Sequence, residues 1–153
     1  MGQQSSIQAL KPFEMVIDNT IAGSSGIGSF RIGLPNESSI DNFRFKVDWG
    51  DGTISGITTA SPSVVSPTHV YPSGGTYTVK IYGKLPWIYF FNDDDGDKVI
   101  SIESWGNINW KSFNRAFEGS NNLTGITTTT PPVTENLDGS VDTSFNIFFS
   151  FRN

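Results

Sequence analysis

The sequence predicts a mainly β fold: an antiparallel β-sandwich followed by a short repeat segment that carries helical turns. Three observations lead there. The 153 residues include 16 Gly, 19 Ser, 14 Thr and 12 Asn, and only 16% are charged. Long solvent-facing helices need Glu, Lys, Ala and Leu in quantity, so this composition disfavours them. The run Phe43-Arg44-Phe45-Lys46-Val47-Asp48-Trp49 alternates throughout, which puts four apolar side chains on one face of an extended chain. Turn-forming clusters recur about every 8–12 residues, the spacing of an all-β sandwich.

The elements follow in order. Residues 1–12 are polar, end in Lys11-Pro12, and read as an N-terminal arm that orders against a partner, with a flexible tail as the plain alternative. The sandwich is expected over 13–83. Phe13-Glu14-Met15-Val16-Ile17 and Ser29-Phe30-Arg31-Ile32-Gly33-Leu34 read as strands, the second halted by Pro35-Asn36. After Trp49, Gly50-Asp51-Gly52 supplies a hairpin turn and Thr53 to Thr58 returns. Ala60 to Pro67 is a Ser/Pro loop, and Thr76 to Tyr82 is a further strand after the turn Pro72-Ser73-Gly74-Gly75. The repeat segment is expected over 84–153. It opens on the aromatic run Leu85 to Phe91, expected to be a strand buried on both faces. An acidic turn and the short strand Lys98 to Ile102 come next. Trp110 to Phe117 then spaces aromatics at helical intervals, with Gly119 as a cap, and Leu123 to Ile126 begins another short run. Ser112-Phe113-Asn114 recurs as Ser144-Phe145-Asn146, and Phe117 recurs as Phe149, an offset of 32 residues that suggests stacked units.

Charge and composition exclude several function classes. The net charge of −5 and pI near 4.6 disfavour binding to nucleic acid or to an anionic membrane. The absence of cysteine removes disulfides, thiolate metal sites and thiol nucleophiles. No window reaches the apolar length of a membrane span, and no basic stretch followed by an apolar one marks an export signal.

Two stretches resemble the polycystic kidney disease (PKD) domain, an immunoglobulin-like sandwich. They are Val47-Asp48-Trp49-Gly50-Asp51-Gly52-Thr53 and Thr68-His69-Val70-Tyr71 with Gly75-Thr76-Tyr77-Thr78-Val79. Trp105-Gly106, Phe113 and Ala116-Phe117-Glu118-Gly119-Ser120-Asn121-Asn122-Leu123 are similar to leucine-rich repeats of the BspA type, with Ser120 where that family often has Cys. Chains that combine the two resemble tail-fibre and virion-surface proteins of bacteriophages and surface proteins of bacteria. The lack of an export signal favours the phage side. The resemblance therefore implies a non-enzymatic structural protein on a virion surface, as a capsid decoration or fibre component. It would contact other virion proteins and copies of itself, in the trimeric arrangement usual for such appendages. The alternative is a carbohydrate-binding adhesion module of a tail fibre or a bacterial cell surface, with a host glycan as ligand.

The residues that could carry chemistry are few. His69 is the only histidine, which excludes two-histidine metal sites and leaves a Ser-His-Asp triad with a single possible base. Asp48 and Asp51 could form a carboxylate pair, although turn chemistry explains both. Asp93, Asp95 and Asp97 are the candidate ligands if a metal binds at the acidic turn. Calcium is the ion such clustered oxygens suit, and no other cofactor is expected. Trp87, Tyr89, Trp105 and Trp110 could stack on a sugar, or fill the seam between sandwich and repeat. Phe145, Ile147, Phe148, Phe149 and Phe151 crowd the end of the chain, and a neighbouring subunit is expected to cover them.

Overall fold

The computed structural model describes residues 11–36, 42–59, 64–91 and 94–128. The described residues form a mainly β fold with eight strands. Six make one sheet: β1 (Phe13–Asp18), β3 (Phe43–Asp48), β4 (Ile54–Thr59), β6 (Thr76–Lys84), β7 (Val99–Ser104) and β8 (Gly125–Ile126), in the order β4-β3-β6-β1-β7-β8. The other two, β2 (Ser29–Arg31) and β5 (Thr68–Val70), pair with each other.

Period-two patterning sets the faces of the large sheet. Phe13, Met15 and Ile17 of β1, Phe43, Phe45 and Val47 of β3, and Val79 and Ile81 of β6 are all buried. Glu14, Arg44, Lys46 and Lys80 lie at the intervening positions on the other face, the alternation a half-buried strand requires. Phe30 and Ile32, from the segment around β2, join the same apolar cluster, as do Trp105, Ile108, Trp110 and Leu123 from the second half of the chain. The boundary expected at residue 83 falls inside β6. Beyond it, β7 pairs with β1, so the later segment extends the same sheet and core. Two register shifts mark the β1–β7 pairing, between Glu14 and Met15 and between Val16 and Ile17. At each, one extra β7 residue is accommodated as a bulge, which increases local twist.

The strands within 13–83 pair antiparallel, as expected, but the large sheet continues beyond them. β8 runs parallel to β7, with Ser101 opposite Gly125, so the sheet is mixed. Thr127 Oγ1 ties that edge down by donating to Glu103 Oε2 at 2.6 Å. The helical turns expected over Trp110 to Phe117 are absent as a helix; the chain makes successive turns there. Arg115 takes a positive φ of 55°, which a continuous right-handed helix does not allow. Phe113 and Phe117 reach the core from these turns, so the aromatic spacing reflects burial without helicity. The described helical turn is instead a five-residue 3-10 turn, Asp94–Lys98, inside the acidic segment.

Leu85 to Phe91 is extended and largely buried, as its composition required, but joins no sheet. Its backbone groups find partners in loops: Tyr89 N donates to Gly33 O at 2.9 Å and Phe90 N to Ala116 O at 3.0 Å. Pro86 O accepts from Lys111 N at 2.8 Å. Pro86, buried within this stretch, removes a donor that a ladder would need.

Candidate functional site

The polar cluster richest in functional groups is built on the turn between β3 and β4 and on β5. Asp48 Oδ1 accepts from Gly50 N at 3.0 Å, and Asp51 Oδ1 accepts from Thr53 N at 3.0 Å and Thr53 Oγ1 at 2.6 Å. These are Asx-type bonds, in which a carboxylate stands in for a backbone acceptor and fixes the turn. Gly50 has φ 86°, and a Cβ there would stand 2.5 Å from Thr78 O. Only glycine satisfies both constraints.

His69 enters from β5 against this turn. Its Nε2 lies 2.7 Å from Asp51 Oδ2 and 3.3 Å from Thr53 Oγ1. The imidazole stacks on the Trp49 indole at 4.8 Å and 13°, and meets the Tyr71 ring edge-on at 4.6 Å. Tyr71 in turn stacks on Tyr77 at 4.1 Å. The Tyr71 hydroxyl donates to Trp49 O at 3.0 Å, and Trp49 Nε1 donates to Ser55 Oγ at 2.9 Å. Asp51, His69, Thr53, Trp49 and Tyr71 thus bond one another or the backbone of the same corner.

The electrostatics agree with the geometry. Burial acts to raise the Asp51 pKa, but hydrogen bonds from Thr53 and His69 outweigh it and hold the carboxyl at about 2. Burial pushes the Tyr71 phenol well above its ordinary range, with the charge of Asp51 adding to the effect. A phenol so raised stays a donor to Trp49 O. The nearest hydroxyl to His69 is that of Thr53, which is already committed to Asp51 Oδ1. The arrangement positions a histidine and fixes a turn; the bonds of His69 and Tyr71 hold β5 and the residue after it to the β3–β4 connection.

A second polar cluster holds the acidic turn. Lys98 and Asp95 are both fully buried, with Nζ 3.7 Å from Asp95 Oδ1. Lys98 Nζ donates to Gly26 O and Ser29 O, each at 2.6 Å, and to Ser25 Oγ at 3.0 Å. Asp95 Oδ1 accepts from Ser25 N at 2.9 Å and Oδ2 from Arg31 N at 2.6 Å. Asp97 Oδ1 accepts from Asn121 N at 2.8 Å and from its Nδ2 at 3.0 Å. Of the three candidate calcium ligands, Asp93 lies outside the described residues. The other two carboxylates point to different parts of the fold, Asp95 to the loop before β2 and Asp97 to Asn121. Among the described residues no group of three or more His, Asp or Glu side chains could hold a metal ion.

The candidate sugar-stacking residues are placed mostly inside. Trp110 is fully buried, Trp105 is 4% exposed, and Trp87 is 7% exposed with its Nε1 donating to Asn114 O at 2.8 Å. Trp105 and Trp110 pack with Phe13 and Phe113, filling the space between the large sheet and the segment after β7. Tyr89 is half-buried between Trp87 and Phe91. The proposed interface residues Phe145, Ile147, Phe148, Phe149 and Phe151 lie outside the described residues.

Sequence reasoning missed the buried Lys98–Asp95 pair. The lysine at i+3 from an aspartate was a local signal, but nothing local indicates that the loop around Ser25 closes over both. No family model matches this sequence, and comparison with curated proteins and with solved structures returns no match.

Proposed function

We propose that this chain is a non-enzymatic structural protein of a bacteriophage particle, displayed on the virion surface and acting through subunit–subunit contacts. In this reading the strands over 13–83 form a PKD-like sandwich, and the segment after them is a partial repeat. One observation carries the assembly part. Among the described residues, the exposed large hydrophobics are Ile27, Ile54, Val65, Val70 and Ile126. Each lies on an edge strand or within three residues of one: Ile54 on β4, Ile126 on β8, Val70 on β5, and Ile27 and Val65 just before β2 and β5. Edge strands offer unpaired backbone donors and acceptors, and solitary proteins usually guard them with charge or proline. Aliphatic side chains at all four edges suit a chain whose edges are covered by neighbours.

The polar groups at the WGDG turn favour the same conclusion. Asp48, Asp51 and His69 are consumed in shaping the corner, which suits a rigid display frame. The test is solution mass by light scattering, on the full chain and on a version ending at Ser140. An oligomer that becomes monomeric on truncation supports subunit contacts through the Phe-rich end. A monomer in both cases refutes the assembly reading.

A further inference from the structure

The outer face of β4, β3 and β6 gathers cations that the sequence disperses. The β3–β6 register places Arg44 opposite Lys84 and Lys46 opposite Tyr82. On the other side, β4 sets Thr58 opposite Arg44 and Gly56 opposite Lys46. Of the ten basic residues in the chain, Arg44, Lys46, Lys80 and Lys84 thus stand on two adjacent strands. Two acids flank Lys80 on this face, Asp48 opposite it on β3 and Glu14 on β1, 3.9 Å from its Nζ. Among the described residues, Arg44 and Lys46 are exposed and make no ion pair.

The shape of this face supplies the rest. Gly56 presents no side chain, and the surface dips there into an open depression of about 410 Å³, lined by Arg44, Lys46, Thr58 and Tyr82 among others. That volume is of the order that small ligands occupy. Its lining surface is mainly apolar, and Arg44, Lys46, Thr58 and Tyr82 stand around it.

The geometry points to a binding site for an acidic polysaccharide, with a uronate carboxylate on Arg44 and Lys46 and a sugar face on the Tyr82 ring. A guanidinium matches a carboxylate with two parallel hydrogen bonds, and an ammonium adds a compact charge. A tyrosine offers apolar area with a polar edge, as sugar rings require. Charge complementarity is local: a few cations surrounded by an acidic chain suit a polymer of spaced single charges. A nucleic acid carries a far denser charge, and contacts with it rely on many cations. This site differs from the aromatic group around Trp105 and Trp110, and it does not depend on the assembly reading.

The test is calorimetric titration of the full chain with tetragalacturonate, beside neutral maltotetraose and a short oligothymidylate. Saturable binding of tetragalacturonate alone is expected. Arg44→Gln with Lys46→Gln should weaken it about ten-fold, through loss of two charge-assisted contacts. Tyr82→Ala should weaken it several-fold while Tyr82→Phe retains binding. Raising the salt concentration on the unaltered chain should weaken it too, a readout that needs no variant. Absence of binding, equal binding of maltotetraose, or unchanged affinity in the double variant overturns the proposal. Tighter binding of oligothymidylate overturns the assignment to sugar acids.

Discussion

Replacing Lys98 by Met tests the account of what holds the acidic turn. The ammonium is fully buried and serves three acceptors besides standing 3.7 Å from Asp95. Met is close in length and fills the space, so the packing loss is small. What remains is a buried carboxylate without its cation, plus Gly26 O, Ser29 O and Ser25 Oγ without their donor. Breaking one side of a buried pair costs about 3–5 kcal/mol, and the hydrogen bonds Asp95 keeps, those from Ser25 N and Arg31 N among them, place this case toward the lower end. At about 2–4 °C per kcal/mol for a chain of this size, the melting temperature should fall by about 10 °C. Denaturant unfolding followed by tryptophan fluorescence measures the loss directly, since Trp49, Trp105 and Trp110 are buried. Adding Asp95→Asn to Lys98→Met removes the stranded charge, so the double variant should be more stable than the single one. A single variant that loses under about 1 kcal/mol, or a double variant that loses the sum of the two singles, would refute the reasoning.

Acid stability should report on Asp51. Its folded pKa of about 2 lies below the ordinary 3.8, so the unfolded chain binds more protons between those values. Its stabilising contribution is complete above the ordinary value and disappears as pH falls through the folded one. At roughly 1.4 kcal/mol per unit of pKa, that contribution is at most about 2.5 kcal/mol. Unfolding measured between about pH 4.5 and pH 2 should fall less steeply in Asp51→Asn than in the parent; identical slopes would count against the His69–Thr53–Asp51 network. Ser120 Oγ is buried and has no hydrogen-bond partner among the described residues. Ser120→Ala should therefore leave stability unchanged or raise it by up to about 1 kcal/mol, read as an upward shift of the denaturation midpoint, because a buried unpaired hydroxyl is itself a cost.

Sequence alone determined the elements whose information is local. The alternation of β3 named its buried face residue by residue, since side chains on a strand must point to opposite sides. The Trp49-Gly50-Asp51-Gly52 turn declared itself because its demands, a positive φ and short polar side chains, are met by few residue types. The WGDG and H-x-Y stretches were legible as a pair, and they meet in space through His69 and Asp51. The aromatic spacing of Trp110 to Phe117 misled, because burial from irregular turns can imitate the helical period when each ring only has to reach the core. Leu85 to Phe91 is largely buried, as its hydrophobicity predicts, but forms no strand; hydrophobicity decides where a segment goes, while its backbone partners come from loops far along the chain.

Tertiary structure alone decided the rest. The Asp95–Lys98 pair is three residues apart, yet its burial depends on Ser25 and Ser29, about seventy positions earlier. Whether acidic residues bind a cation from solution or pair with a lysine inside depends on which loop closes over them, and that is set by global packing. The outer-face cluster has the same origin. Arg44 and Tyr82 are neighbours only because β3 and β6 pair in one register, and a slip by a single residue would move each to the opposite face. Charge totals add along a sequence, but a surface potential depends on distance in space, so an acidic chain can still present a basic face.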